Sequence, residues 1–298
     1  MHENTALLLE GGSLRCLFTA GVLDVFQEAG LAFPAVAGVS AGSLCAINYV
    51  SGQPGRTARV NLRFVNDPRY LGLGNLLRRH SVFNFDFLFG EVSHRLEPLD
   101  YEAFCRSPQR LFAFTTDLHT GESVAHEKGV SSDILLACRA SCSMPLLSTP
   151  VQVDGHLAMD GAVAQSIPLP WALQQGYTRI VLVLTRQEGY RKRPVSPAMA
   201  AAYEMAYRPY PAFVQRCRTI PERYNVLQQQ IARLERSGRI FVIRPQEPVD
   251  VSRTEQDTEK LRRLYRRGQE EARRRLPALQ AYLNAGRKEN PPEPGPGA

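Results

Sequence analysis

Gly38-Val39-Ser40-Ala41-Gly42 is the stretch on which the reading of this 298-residue chain turns. A short apolar run, Ala35 to Val39, leads into it, and a helical pattern over Ser43 to Tyr49 follows, running out near Gly52. This is the G-x-S-x-G pattern between a strand and a helix. A nucleophile on such a tight turn takes unusual backbone angles, so its neighbours must be small. The helix N-terminus behind it offers backbone N–H groups and a positive dipole end to developing negative charge. As a bare string the pattern occurs by chance in about one chain in ten, given glycine near 7%. A Gly/Ser turn without chemistry is therefore the competing reading. The strand before and the helix after are what favour a nucleophile.

Outward from this turn the chain alternates. Thr5 to Leu9 reads as a buried strand ended by Glu10-Gly11-Gly12, and Leu14 to Ala29 as a helix closed by Gly30. Leu111 to Thr115 is a third strand. Asp133, after Ser131 and Ser132, caps a helix that ends before Pro145. Val151 to Val153 and His156 to Met159 form a hairpin, because Asp154-Gly155 supplies the positive φ angles of a type I′ turn. Ile180 to Thr185 and Ile240 to Ile243 are further strands, with long helices near 216–236 and 255–284. Residues 60–90 are apolar and aromatic without a clear period. Strands alternating with helices predict a three-layer α/β/α sandwich with a mostly parallel central sheet and a C-terminal helical extension.

A serine hydroxyl needs a base. The histidines are His2, His80, His94, His119, His126 and His156, and none lies in the last 142 residues. An α/β-hydrolase triad would put its histidine late in the chain, so that arrangement is disfavoured. Asp160 is the best-placed carboxylate. It ends the hairpin strand and precedes Gly161-Ala162, a small turn from which a carboxylate can reach a neighbouring loop. Taken alone, it could equally be a turn aspartate. The third piece is Glu10-Gly11-Gly12-Ser13-Leu14-Arg15, where consecutive glycines let backbone N–H groups approach an anion. It could form an oxyanion hole or hold a phosphate, or be a plain strand–helix turn; it matches no nucleotide-binding fingerprint.

Together the three motifs resemble the patatin-like phospholipase family over roughly residues 5–185. That family has a Gly-rich loop ending in Arg on its first strand–helix turn, a GxSxG elbow on its second, and Asp-Gly-Gly/Ala downstream. The likeness extends through Gly21-Val22-Leu23-Asp24 and through Arg139-Ala140-Ser141 with Pro145. The resemblance implies a Ser–Asp dyad of Ser40 and Asp160. It implies an oxyanion hole from the N–H groups of Gly11, Gly12 and Ser13. It implies that Arg15 positions the loop or meets a phosphate. Two positions depart from the pattern. Ser13 replaces a third glycine, which is tolerable if its φ stays negative. Ser166 stands where the family often has Asn, so the hydrogen bonds around Asp160 are expected to differ.

Composition sets the remaining bounds. With 44% apolar and 22% charged residues the chain is an ordinary globular one. No apolar run approaches the length of a spanning helix. The N-terminus lacks a basic region and its apolar run stops at Glu10, so a secretory signal is not expected. The six cysteines form no CxxC pair and are read as reduced thiols of a cytoplasmic protein. Scattered histidines and the lack of an EF-hand loop predict no metal and no cofactor.

Charge is uneven along the chain. Residues 1–185 hold 13 Lys and Arg against 16 Asp and Glu, a net of −3, whereas residues 186–298 hold 23 against 13, a net of +10. The division expected is a catalytic core over 1–185, a basic, mainly helical part over 186–290, and a disordered tail over 291–298. The basic part is either a solvated helical face or a surface for an anionic membrane; no nucleic-acid motif accompanies it.

The expected function is a serine acyl hydrolase of lipid esters. The alternatives are a soluble esterase or thioesterase, and a non-catalytic lipid- or anion-binding protein that keeps the fold. Leu71, Leu73, Leu76, Leu77, Val82, Phe83, Phe85, Phe87, Leu88 and Phe89, with Arg78 and Arg79 between them, read either as a flexible acyl-binding cap touching a bilayer or as ordinary core. Tyr203, Tyr207, Tyr210 and Phe213 either line an acyl pocket or simply pack.

Overall fold

The computed structural model describes residues 4–72, 74–75 and 81–285. The expectations for Leu73, Leu76, Leu77, Arg78, Arg79 and the 291–298 tail fall outside them.

The expected sandwich is what forms. Eight strands make one sheet: β1 (Thr5–Leu9), β2 (Ala35–Val39), β3 (Arg110–Asp117), β4 (Ser123–Glu127), β5 (Val151–Val153), β6 (His156–Asp160), β7 (Arg179–Val183) and β8 (Ile240–Ile243). Hydrogen-bonded neighbours follow the path β5-β6-β3-β2-β1-β7-β8, and β4 also pairs with β3. The run from β3 through β2, β1 and β7 to β8 is parallel, and β4, β5 and β6 pair antiparallel. β1 shows why both faces must be covered. Leu7 and Leu9 pack into one apolar cluster while Ala6 and Leu8 pack into another on the opposite face.

Helix α1 (Cys16–Glu28) is buried from Cys16 through Phe26 on all sides, as a helix between two layers must be. It lies between the sheet and the long helix Thr258–Asn284. The two helices meet at Gly21 and Gly268. A methyl on Gly21 would run into the Tyr265 carbonyl, and one on Gly268 into the Phe18 carbonyl. The Tyr265 hydroxyl fastens the crossing by donating to Asp24 Oδ2 at 2.6 Å. Asp257 starts the long helix by accepting the Glu259 and Lys260 N–H groups, an N-cap of the usual kind.

Several local expectations hold. Asp154 and Gly155 have φ of 48° and 81°, the I′ turn of the hairpin. Asp133 caps the helix Ile134–Ser141 through the Leu136 N–H. Others need correction. The helix expected over 216–236 is two helices, Pro211–Arg218 and Ile220–Arg236, divided at Thr219 because Pro221 begins a new first turn. The aperiodic stretch before residue 90 contains the helix Arg56–Phe64 and leads into a π-helix, Leu88–Leu96. Leu71, Val82, Phe83, Phe85, Phe87 and Leu88 are buried in the main cluster, so the described aromatics of this stretch are core rather than a bilayer-facing surface. Tyr207 and Phe213 likewise pack into a small third cluster. All six thiols are free, and only Cys105 is exposed. No helix among the described residues is long and apolar enough to cross a membrane.

Candidate active site

β3 is the element that assembles the site. β4 takes one of its edges along Phe112 to Thr116. On the other edge β2 pairs up to Val39 opposite Phe114, and β6 takes over with Asp160 opposite Thr115. Two strands of opposite direction therefore end head to head. The residue that follows β2 is Ser40, and the last residue of β6 is Asp160. Their side chains meet: Ser40 Oγ donates to Asp160 Oδ2 at 2.9 Å. Gly161 turns the chain away at this junction, where a methyl would strike the Phe114 carbonyl.

Ser40 sits at φ 53°, ψ −130°, between β2 and helix α2 (Ala41–Val50). A non-glycine residue in that region stores about 1–3 kcal/mol and needs its surroundings to hold it. The Ser40 N–H donates to Ser141 Oγ at 2.8 Å. The Ser40 carbonyl accepts from Ser43 Oγ at 2.6 Å and from the Ser43 N–H at 2.9 Å. A methyl on Gly38 would lie 2.6 Å from the Gly42 carbonyl, so the turn closes only because that position has no side chain.

Asp160 is held from several sides. Its Oδ1 accepts the Ala162 N–H at 2.8 Å, its N–H donates to the Ser143 carbonyl at 2.9 Å, and its carbonyl accepts Thr116 Oγ1 at 2.9 Å. The residue is only 3% exposed. Burial pushes its carboxyl up to about 6, against the pull of the Ala162 N–H, the Ser40 hydroxyl, Arg253 and Lys192. A carboxylate with that affinity for a proton, in contact with a hydroxyl, is poised to take one near neutral pH. No histidine intervenes. His126 bonds Thr115 and Asp154, and His156 bonds Asp117.

Gly11, Gly12, Ser13 and Arg15 line the same cavity as Ser40 and Asp160, a space of about 510 Å³. The Gly11 N–H is engaged with the Ser166 carbonyl at 3.3 Å, while the Gly12 and Ser13 N–H groups have no acceptor among the described residues. The condition set for a side chain at Ser13, a negative φ, is not met: φ is +50°. Its hydroxyl compensates by donating to the Arg253 carbonyl at 2.6 Å, which ties the loop to a distant segment. Ser166 Oγ donates to the Ala162 carbonyl at 3.1 Å and accepts from Lys192 Nζ at 3.3 Å. Arg15 is largely buried with its Nε unpartnered, and burial together with Arg186 lowers its guanidinium to about 10.

Sequence reasoning missed three supports. Glu10 is buried behind the glycine loop, where Oε2 accepts the Thr185 N–H at 2.6 Å and its hydroxyl at 3.0 Å. Its Oε1 accepts the Tyr224 hydroxyl at 2.9 Å. A carboxylate ending an apolar strand was the available signal. Ser141, which holds Ser40, stood within the Arg139-Ala140-Ser141 likeness without a role, and Thr116, which holds Asp160, carried no signal. On the other side of Ser40 a second, narrow pocket of about 70 Å³ is lined by Leu14, Ile47, Val60, Phe83, Leu88 and others. Ser40 thus lines both a small, mainly apolar pocket and a larger cavity of mixed polar and apolar lining. Among the described residues no cluster of three or more His, Cys, Asp or Glu could hold a metal ion.

Comparison with known proteins gives the family of the chain. A family model described as patatin-like phospholipase matches residues 7–173, and one described as a domain of unknown function (DUF6363) matches residues 210–284. The uncharacterised protein YjjU of Escherichia coli K12 is 26% identical over 250 residues, 82% of this chain and 69% of that protein. The uncharacterised NTE family protein Rv1063c of Mycobacterium tuberculosis H37Rv is 27% identical over 207 residues, 66% of this chain and 54% of that protein. Lysophospholipase NTE1 of Cryptococcus neoformans is 24% identical over 187 residues, 61% of this chain and 11% of that much longer one.

Proposed function

The chain belongs to the patatin-like phospholipase family, and from that premise we propose that it is a serine acyl hydrolase of lipid esters, with Ser40 as nucleophile and Asp160 as base. The observation that carries this reading is the 2.9 Å contact of Ser40 Oγ with Asp160 Oδ2 at the junction of β2 and β6. In the proposed reaction Ser40 Oγ attacks the ester carbonyl carbon and its proton passes to Asp160. The carbonyl oxygen becomes an oxyanion facing the N–H groups of Gly12 and Ser13, with Gly11 beside them. Loss of one such donor typically costs ~10²–10³ in rate. Asp160 returns the proton to the departing alkoxide, leaving an acyl-enzyme. A water molecule then bonds the acyl carbon as its proton passes to Asp160; the acyl–Oγ bond breaks, the acid leaves, and Asp160 returns the proton to Ser40 Oγ.

The acyl group is assigned to the narrow apolar pocket and the alcohol portion to the wider cavity. Lipid cleavage also accords with the name of the fungal relative, a lysophospholipase. Arg262, Arg267, Arg273 and Arg274 of the long helix pair with Glu259, Glu247, Glu28 and Glu271. This supports a solvated outer face for the basic region; peripheral membrane contact is a matter for sedimentation with anionic vesicles.

The test is hydrolysis of a short-chain chromogenic ester and of lysophospholipid by wild type, Ser40→Ala and Asp160→Asn, with covalent labelling by a fluorophosphonate. The expected result is activity and labelling in wild type and loss of both in Ser40→Ala. A wild type that resists the label and cleaves neither ester would point instead to a binding protein.

A further inference from the structure

Five cations line the wide cavity: Arg15, Arg186, Lys192, Arg193 and Arg253. Its two carboxylates are Glu10 and Asp160, and both are already engaged, Glu10 by Thr185 and Tyr224, Asp160 by Ser40 and Ala162. None of the five cations lies within ion-pair distance of a carboxylate among the described residues. That contrasts with the long helix, whose arginines are widely paired. Like charges gathered in a partly dry space repel each other, and burial there disfavours the charged form. Lys192 shows the effect. Burial lowers its amine to about 8, with Arg253 and Arg15 adding to the drop and Glu10 opposing it. Arg15, Arg186 and Lys192 are partly buried while Arg193 and Arg253 stand at the exposed rim, and charge drawn partly out of water without a counter-charge carries a cost. The arrangement calls for an anion from outside the chain.

The aromatic surfaces narrow the class of anion. Arg186 lies over the Tyr190 ring at 4.6 Å, and Lys192 lies over the Tyr224 ring at 4.1 Å. Two of the three tyrosines that line the cavity thus already carry one of the protein's own cations on a face that could otherwise receive a quaternary ammonium; Tyr203 is the third. No free carboxylate remains in the cavity to meet an ammonium group either. A zwitterionic head group would therefore bring its positive end into a positive chamber.

Resting on the hydrolase reading above, we propose that Arg15, Arg186, Lys192 and Arg253 form a subsite for a phosphate ester of net negative charge, which makes this enzyme select anionic over zwitterionic lipid substrates. The subsite draws Arg186 and Lys192 from the segment after β7, and Arg253 from the loop that Ser13 Oγ tethers to the glycine loop. Lys192 is fixed by a two-way clamp, its N–H donating to Asn225 Oδ1 at 2.9 Å and its carbonyl accepting Asn225 Nδ2 at 3.0 Å. An anion seated there would lie in the same cavity as Ser40, with the acyl chain on the apolar side.

The experiment compares kcat/KM on lysophosphatidylglycerol, lysophosphatidylcholine and monoacylglycerol of one chain length, with the matching acyl-coenzyme A as a soluble phosphate-bearing thioester. Wild type is expected to favour the anionic lysolipid over the zwitterion by about tenfold or more, the scale of one charge-assisted hydrogen bond. Arg186→Gln/Lys192→Gln should lose that preference, read as the ratio of the anionic to the zwitterionic lysolipid, so that a change in Asp160 common to all substrates cancels. Arg253→Gln, at an exposed position, should shift the preference the same way and guards against a double variant that fails to fold. A preference for acyl-coenzyme A over the anionic lysolipid would assign the phosphate to a soluble substrate and overturn the lipid selection. Equal rates on the anionic and zwitterionic lysolipids would overturn the proposal, as would variants that lose every substrate in proportion. If wild type cleaves no ester, the hydrolase reading fails separately. Titration of Ser40→Ala with glycerol 3-phosphate still decides the subsite, since heat of binding must appear and must vanish on adding Arg186→Gln and Lys192→Gln.

Discussion

Asp160 Oδ2 accepts the Ser40 hydroxyl at 2.9 Å although 120 residues separate the two. The contact exists because β2 and β6 end head to head on one edge of β3, with Val39 opposite Phe114 and Asp160 opposite Thr115. The dyad is therefore as rigid as a sheet register, and its chemistry should respond sharply to changes at the junction.

The acid limb of the activity profile should report Asp160. Its carboxyl is raised to about 6 by burial, opposed by Lys192 and Arg253 facing it. Only the ionised form can take the Ser40 proton. The expected kcat/KM on a neutral ester is flat above pH 7 and falls about tenfold per unit below 6. A limb near pH 4 would mean that the base is a solvated carboxylate elsewhere.

Asp160→Asn should be inactive yet more stable than wild type at neutral pH. The native group holds its proton more tightly than the unfolded chain does. Its stabilising contribution is full below about pH 4 and is lost as pH rises through about 6. Removing the charge should recover about 2–3 kcal/mol at pH 7.5, and little at pH 4. Thermal melts of both proteins across pH 4–8 measure this; a gap that does not widen with pH counts against a buried charge.

Ser40→Gly and Ser40→Ala should both lack activity but differ in stability. Alanine keeps the strained φ of 53°, whereas glycine relieves it. After allowing for the greater freedom of glycine in the unfolded chain, Ser40→Gly should be more stable than Ser40→Ala by about 1 kcal/mol. Denaturant titration resolves a difference of that size.

Gly161→Ala should damage stability and catalysis together. The added methyl meets the Phe114 carbonyl, so either β3 or the turn after Asp160 must move. Overpacking of this kind costs about 1–3 kcal/mol. The accompanying shift of Asp160 should lower kcat more than it raises KM on the chromogenic ester. A variant with wild-type kcat would show that the junction is more compliant than its packing suggests.

The local half of this site was legible in the sequence. Ser40 announces itself because strand, small residues and helix are contiguous, and Asp160 because the Asp-Gly-Ala turn ends a hairpin marked by Asp154-Gly155. Asp160 could be put forward as the base from its strand-end turn, and the family likeness paired it with Ser40, but no periodicity records which edge of β3 two distant strands will share. β4 went unseen for a different reason. Ser123-Val124-Ala125-His126-Glu127 buries only His126 well, so its alternation is too weak to read. The cation chamber was invisible as a unit: the +10 net charge of residues 186–298 was plain, but nothing linear separates Arg186 and Lys192, which turn inward, from Arg273 and Arg274, which pair on the surface. Ser13 was misjudged because its hydroxyl finds a carbonyl 240 positions away, and that bond supports a backbone angle otherwise left to glycine.

The crossing of Gly21 with Gly268 bears on how this protein can be rebuilt. Two helices whose backbones touch leave no slack for either to be exchanged alone. A chimera that grafts a relative's long helix onto this chain inherits a mismatch unless α1 travels with it. The first helix and the last described one are, for the protein engineer, a single replaceable part.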